Sequence, residues 1–435
     1  MAPQPAKRLT LRAHLIAFAL ILTICVAARA ASEKVLYAFH GQDGWGPSSV
    51  ILGPDRALYG TTGLGGTNSC LGRGCGVVFR LTRGANGKWH ETVLHDFAGK
   101  DGEFPSGALV ADKSGNLYGT TVDGAPSCSQ LGCGVVFELA REKPGKWTFK
   151  VLHNFVLTDG ANPYAGMIFD STGNLYGTAS SGGNLSACSA EGGCGVVFKL
   201  TPDGKGHWTE TVVYAFNGSD GGGPMGSVTF DSSGNLYGTT SYGGANGGGT
   251  VFELTPGKNG QWSEQVLHSF SFDTRDGYEA VYGVILDSAG NFYGTTQFGG
   301  TVGGQGWGTA FRLAPEGGGK WKETILRTFD RDKGPGGGFI SSGLILDGKG
   351  NLYGTADAGG RYNNCGTAFR LTPRDRGKWD ETVLHSFGRG NGGCGPGGGL
   401  VFDSSAHLLG VTGIGGYTGY PCGTDGCGVV FEVTP

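Results

Sequence analysis

The chain has 435 residues, of which 88 are Gly, while aromatic residues make up 11% and charged residues 16%. Glycine does not recur at every third position as collagen requires, and a hydrophobic share of 38% is too high for a disordered chain, so a packed, turn-rich β protein remains. With 33 Lys+Arg against 36 Asp+Glu there is no basic excess to attract nucleic acid.

Residues 1–30 read as a signal peptide. Lys7, Arg8 and Arg12 precede an apolar run over 15–27, and Ala28-Arg29-Ala30 gives the small-x-small pattern of a cleavage site. The run is shorter than the roughly 20 residues that cross a hydrocarbon core, so no membrane insertion is expected. Cleavage after Ala30 takes four cations (Lys7, Arg8, Arg12, Arg29) and no acid, leaving residues 31–435 with a formal charge of −7. The expected setting is secreted or periplasmic.

The mature region is a repeat. A Val-Leu-His-x-Phe segment returns seven times, starting at residues 35, 93, 151, 212, 266, 325 and 383. Between copies the order is constant: a Gly/Asp/Pro turn, an apolar run ending in Asp, Gly-Asn-Leu-Tyr-Gly-Thr-Thr, a Gly-Gly loop, Gly-Val-Val-Phe-x-Leu-Thr, a polar turn and Trp-x-Glu-Thr. Four short segments rich in β-branched and aromatic residues, bounded by turn formers, predict a four-stranded antiparallel meander. In the second unit the expected strands are a, 107–111; b, 117–121; c, 134–139; and d, 147–155. The a to b turn carries Asp112, repeated as Asp170, Asp231, Asp287, Asp347 and Asp403, with Gly53 in the first unit.

Seven such units predict an all-β, seven-bladed β-propeller forming a single domain over 31–435. The first strand, 35–39, is a d strand without its own a, b and c, and the last, 429–433, is a c strand without a d. Pairing them completes blade 7 and closes the ring, which removes two exposed edges. A monomer is expected.

Ten cysteines follow the signal segment. Cys70/Cys75, Cys128/Cys133, Cys188/Cys194 and Cys422/Cys427 lie close in sequence, each pair in the b to c loop of a different unit, which reads as disulfides rather than as ligands of one zinc ion. Cys365 occupies the slot of a second cysteine without its first, and Cys394 lies in the next connection, so these two are expected to pair.

The Leu-Tyr-Gly-Thr-Thr, Gly-Gly and Gly-x-Val-Phe segments, with the Trp-x-Glu-Thr-Val-Leu-His-x-Phe strand, resemble the GloVer-type tandem repeat of exported bacterial proteins, the "choice-of-anchor" family. The resemblance covers residues 35–435 and implies a surface or secreted protein without an assigned activity.

No Gly-x-Ser-x-Gly and no phosphate loop is present, and strand a, expected to line the channel, carries no carboxylate or histidine. No catalytic residue, metal site or cofactor is therefore expected, and an enzyme would need residues borne on loops. His95, His153, His268 and His385 share a slot with Tyr37, Tyr214 and Arg327, which suits packing and hydrogen bonding between blades. The loops of blades 4, 5 and 6 lack a cysteine pair and carry aromatics outside the repeat: Tyr242, Phe298, Trp307 and Tyr362, with Tyr278 in the connection into blade 5. Charged residues Asp273, Arg275, Asp276, Glu279 and Arg361 share that arc. Aromatic faces beside charged hydrogen-bonding groups suit sugars, so Trp307, Tyr242 and Tyr278 are candidates for a carbohydrate-binding centre, with Phe298 and Tyr362 beside them. The expected function is a surface or periplasmic binding module for a glycan or a surface protein. The alternatives are a purely structural surface protein and a glycan-acting hydrolase or lyase.

Overall fold

The computed structural model describes residues 33–70, 72–124, 128, 132–143, 145–272, 275–301, 306–330, 337–362, 364–390 and 392–435. Residues 1–30, the expected signal peptide, and Asp273 lie outside the described residues. Seven antiparallel sheets follow one another along the chain. In blade 2 the strands are Val110–Ala111, Leu117–Thr121, Val135–Lys143 and Lys146–Asn154. Strand a is thus shorter, and strand c longer, than the sequence pattern predicts. The residues before Val110 leave the ladder to form the turn that enters the blade.

The ring closes as expected. The N-terminal strand Glu33–Ala38 pairs with Val429–Val433, Val35 facing Phe431, and so becomes strand d of blade 7. Burial shows the same closure: seven apolar clusters each join consecutive blades, and one of them joins the first blade to the last through Leu36, Phe39, Val50, Phe79, Leu409 and Val411. The core therefore lies between blades rather than at one centre.

The repeated residues explain that packing. The Phe ending each Val-Leu-His-x-Phe segment is fully or almost fully buried and meets the strand-c Phe of the next blade, as in Phe97 on Phe137 (5.3 Å between centroids) and Phe387 on Phe431 (4.8 Å). The Gly of Leu-Tyr-Gly-Thr-Thr makes room for that strand-c ring: a Cβ on Gly119 would stand 2.5 Å from Phe137 Cζ. The strand-b Tyr packs on the strand-d Trp one blade on, as in Tyr59 with Trp147 (5.8 Å) and Tyr118 with Trp208 (5.8 Å). Threonines of the same motif donate across the junction, Thr120 Oγ1 to Ala165 O at 3.0 Å and Thr178 Oγ1 to Gly226 O at 3.1 Å.

Each turn aspartate is engaged by its own turn. Asp112 Oδ1 accepts Ser114 N (2.8 Å) and Asn116 N (2.9 Å), while Oδ2 accepts Asn116 Nδ2 (2.8 Å). In blade 1 the same task falls to Asp55, just beyond Gly53, which accepts Ala57 N (3.3 Å) and the Tyr59 hydroxyl (2.9 Å).

All five disulfides form: Cys70–Cys75, Cys128–Cys133, Cys188–Cys194, Cys422–Cys427 and Cys365–Cys394. The last ties the b to c loop of blade 6 to the start of strand a in blade 7. The short pairs lie in the b to c loops, as expected, and the second cysteine of each reaches the core. Cys75, Cys133, Cys194 and Cys427 are at most 1% exposed and belong to the apolar clusters between blades, Cys194 beside Val197 and Phe216, and Cys427 beside Phe39 and Val430. They lie just before strand c, where the chain has already entered the packed junction, so each bridge pins an outer loop to the core. Disulfides persist in oxidising surroundings, so five of them point to an extracellular or periplasmic setting. Among the described residues no helix is long and apolar enough to cross a membrane. Replacing both Cys365 and Cys394 by Ser is expected to cost about 3 to 4 kcal/mol by loop entropy. Denaturant melts of the oxidised proteins measure this, and an unchanged midpoint would refute it.

Candidate functional site

The b to c loops and the d to a connections lie on one face and build the mouth of the ring. Among the left-handed residues of each connection, one holds the same place in every blade: Gly46, Phe104, Asn162, Gly223, Glu279, Phe339 and Gly395, with φ between 54° and 68°. Its backbone N–H donates to a carbonyl of the preceding blade, from Phe104 to Cys75 O (3.2 Å), from Glu279 to Gly248 O (3.1 Å) and from Phe339 to Trp307 O (3.0 Å). The same bond runs from Gly46 to Cys427 O (2.9 Å) and from Gly223 to Cys194 O (2.9 Å). Its own carbonyl accepts from the end of strand b, as Glu279 O does from Gln297 N (3.0 Å). Four of the seven are not glycine, and strained backbone of this kind collects at functional sites.

A cavity of about 1140 Å³ opens inside this mouth. Tyr164, Tyr242, Phe272, Tyr282 and Phe339 supply aromatic surface, Ser241 and Gln297 supply polar groups, and glycines such as Gly226 and Gly395 keep the wall low. Among the described residues, Glu279 and Asp357 are its carboxyl groups, and no described lining residue is Lys, Arg or His. Burial pushes the half-buried Glu279 carboxyl above its ordinary value, and desolvation acts in the same direction on Asp357, whose side chain stays exposed. Neither side chain has a hydrogen-bond or ion-pair partner among the described residues. Strand a supplies neither acid. Strand-a side chains such as Leu109, Met167 and Val228 are buried in the clusters between blades, while the acids come from the connection into blade 5 and the end of strand b in blade 6.

Of the candidate aromatics, Tyr242 lines the cavity, its hydroxyl 3.4 Å from Gly193 O. Tyr278 and Phe298 stack (5.5 Å, 21°), Phe272 packs on Tyr278 (5.0 Å), and Phe298 and Trp307 both meet Phe339 edge-on, at 5.6 and 4.4 Å. One aromatic chain therefore runs from Phe272 to Trp307. Phe339 and Phe272, which join it, escaped sequence reading, as did Tyr164, Tyr282, Gln297 and Asp357. Trp307 occupies the carbonyl slot held elsewhere by Cys75, Cys133, Cys194, Cys365 or Cys427. Its carbonyl therefore performs a repeated task, while its ring, as expected, has no counterpart in the other blades. Tyr362 is 57% exposed and stands apart, beside Gly388. Asp276 is occupied by His268 Nε2 (3.0 Å) and Ser271 N (3.1 Å).

That last contact belongs to a second repeated constellation, on the strand-d side of each junction. The slot residue reaches an Asp of the following Asp-Gly turn: Tyr37 to Asp43 (2.5 Å), His95 to Asp101 (3.1 Å), His153 to Asp159 (3.3 Å) and Tyr214 to Asp220 (2.7 Å). The Glu of the next blade's Trp-x-Glu completes the group. Arg327 pairs with Glu381 at 2.7 Å, and His385 with Glu33 at 3.3 Å. In blade 2 Phe149 replaces the Glu and stacks on His95 (3.6 Å, 3°). Ligand atoms of His153, Asp159 and Glu210 lie within 4.8 Å of one another, as do those of Asp403, His407 and Glu432. Asp403 is already engaged by Ser405 N and His407 N. The recurring Asp-Gly, six residues after Tyr37, His95, His153 and Tyr214, is the sequence signal that could have revealed these groups.

The ring of four-stranded blades, with its loops gathered at one mouth, defines a β-propeller with a central cavity. The chain belongs to the Gloeobacter/Verrucomicrobia repeat family, whose model matches residues 24–189 and 185–431. No curated protein sequence matches the chain. Among solved structures it is similar to the alpha-L-arabinanase of Penicillium chrysogenum complexed with arabinobiose, at 13% identity and a TM-score of 0.45, over 93% of this chain and 97% of that one. It is also similar to a triple arginine-to-alanine mutant of AofleA from Arthrobotrys oligospora, at 12% identity and a TM-score of 0.42, over 83% of this chain and 91% of that one.

Proposed function

We propose that the protein is an exported binding module whose ring-mouth cavity, lined by all seven blades and with most of its aromatic and acidic groups on blades 4–6, takes a glycan. The observation that carries this reading is the composition of the cavity: about 1140 Å³ with aromatic faces beside Glu279, Asp357, Ser241 and Gln297. A sugar offers apolar C–H faces to rings and hydroxyls to acceptors, and a pocket of this size and lining is the usual form of a small-molecule site. Tyr242, Tyr278, Phe298 and Trp307 belong to the same arc, the first in the lining and the others in the aromatic chain behind Phe339. Tyr362 would take part only with an extended ligand.

A glycan array with the 31–435 protein tests the reading, followed by titration of any hit. Tyr242→Ala is expected to weaken binding at least about tenfold, a loss of 1.4 kcal/mol, while the melting temperature changes little. Binding unaffected by Tyr242→Ala and Tyr278→Ala together would place the ligand elsewhere. Carboxyl groups raised by burial in a cavity also favour a second reading, glycan cleavage. Its signature would be shorter sugars released from a bound glycan and not released by Glu279→Gln.

A further inference from the structure

On the strand-d side of the junctions, the slot residue decides how the group it forms with the turn Asp and the next blade's Glu is closed. A tyrosine closes it by donating its proton, from Tyr37 to Asp43 (2.5 Å) and from Tyr214 to Asp220 (2.7 Å). His95 and His268 hydrogen-bond their aspartates at 3.1 and 3.0 Å. His153 does neither. Its Nε2 and Glu210 Oε1 are both withdrawn from solvent, and neither atom has a hydrogen-bond partner among the described residues. An unpartnered Oε1 alone says nothing, since Glu91 and Glu264 have one too. What sets this junction apart is a ring nitrogen that sits beside two carboxyl groups and is hydrogen-bonded to neither.

We propose that His153, Asp159 and Glu210 form a zinc site that fastens blade 2 to blade 3. None of the three lines the ring-mouth cavity, so the site is independent of the glycan reading.

His153 Nε2 lies 3.3 Å from Asp159 Oδ2, and one donor atom from each of the three residues lies within 4.8 Å of the other two. Ligands held at 2.0 to 2.1 Å by a tetrahedral zinc ion stand about 3.4 Å apart. The first pair already has that separation, and the Glu210 oxygen has at most about 1.4 Å to close. Asp159 is oriented from behind, since its Oδ1 accepts Val156 N at 2.8 Å and leaves Oδ2 for the ion. The His153 ring stands edge-on to Phe155 (4.9 Å, 86°), which holds its plane. A nitrogen with two carboxylate oxygens suits zinc, whereas calcium and magnesium prefer oxygen-only sets. The His153 and Asp159 side chains are each 20% exposed, so the ion can enter and a water can complete its four ligands. His153 belongs to strand d of blade 2 and Glu210 to strand d of blade 3, with Asp159 in the connection between them. The other His junctions lack a member or are closed: Phe149 replaces the Glu beside His95, and Asp276 takes the His268 nitrogen.

Calorimetric titration of the chelator-stripped 31–435 protein with zinc chloride tests this, beside calcium and magnesium chloride. One zinc ion per chain is expected, with calcium and magnesium bound at least a hundredfold more weakly. Zinc at a hundred times its dissociation constant should raise the melting temperature by about 3 °C. His153→Tyr copies the closure that Tyr214 makes with Asp220, so the fold is kept. It is expected to weaken zinc binding at least a hundredfold and to abolish the rise in melting temperature, and Glu210→Gln to weaken binding at least tenfold. His268→Tyr, the same change two junctions on, should leave zinc binding unchanged. Cobalt in place of zinc should give the strong visible absorption of a tetrahedral ion, and His153→Tyr should remove it. A stripped protein that binds no zinc would overturn the site and leave His153 and Asp159 as an ion pair only. Zinc binding that survives both His153→Tyr and Glu210→Gln, or falls as far with His268→Tyr, would place the ion elsewhere and also overturn it. Calcium bound as tightly as zinc would overturn the histidine as a ligand.

Discussion

Deleting residues 33–40 is expected to destabilise the ring and make the chain aggregate. The segment supplies strand d of blade 7, and its loss strips Val429–Val433 of its pairing partner, leaving an unpaired strand edge. It also removes Leu36 and Phe39, which are 7% and 0% exposed, each worth roughly 2 to 3 kcal/mol of apolar burial. Phe39 loses its contact with Phe79 (5.0 Å), Tyr37 its bond to Asp43, and His385 its partner Glu33. All of these join blade 7 to its neighbours, so the ring opens at one point in every layer. Size-exclusion chromatography and thermal melting of the deletion protein measure the effect. A monomer of unchanged melting temperature would show that the ring does not depend on this strand.

Stability should fall as pH rises from about 5.5 to 8.5. Burial raises Glu91 to about 8, with Asp43 adding to the effect. It raises Glu210 to about 7, His153 opposing and Asp159 assisting, and Glu264 to about 7 with Asp220 assisting. It also raises Glu323 to about 7, Asp276 assisting and His268 opposing. An unfolded Glu titrates near about 4.3. Between that value and about 8 the folded chain holds more protons than the unfolded one. The stabilisation is complete below about 4.3 and disappears as pH passes through about 7 to 8. Solvent reaches part of each side chain, so the sum is well below the full shifts. A melting temperature higher at pH 5.5 than at pH 8.5 by about 5 °C is a reasonable scale for a few kcal/mol in a chain of this length. Glu91 and Glu264 face tyrosines rather than histidines, so Glu91→Gln with Glu264→Gln isolates the carboxyl contribution and should flatten the pH response. A melting temperature that rises toward pH 8.5 would refute the account.

The fold was legible because each blade repeats the same physical solution. A Gly that clears a Phe ring, a Tyr that packs on the next Trp and an Asp that closes a turn leave the same letters at the same spacing in blade after blade. The pairing of Cys365 with Cys394 was legible for the same reason, since a missing cysteine in a repeated slot stands out. The depth of Cys194 and Cys427 was not, because spacing shows which cysteines can meet and says nothing of how far the loop has already entered the junction. The cavity was harder to read because its acids occupy positions the repeat leaves free. The slot of Glu279 holds Gly46, Phe104, Asn162, Gly223, Phe339 or Gly395 in the other blades, and its constants are backbone ones, a left-handed φ and an N–H bond to the preceding blade. Trp307 combines both cases. Its side chain departs from the repeat, while its carbonyl performs the repeated task.

The closing strand also imposes an order of events on the nascent chain. Glu33–Ala38 is made early but pairs with Val429–Val433, near the far end of the sequence, so the ring stays open until the last strand has been delivered. Contacts of such long sequence separation form slowly, and an exposed edge invites mispairing while it waits. The four short disulfides, with separations of 5 or 6 residues, need no such delay. Each braces its own loop as soon as oxidant is available, so the blades can be fixed one at a time while the first strand remains free to receive the last.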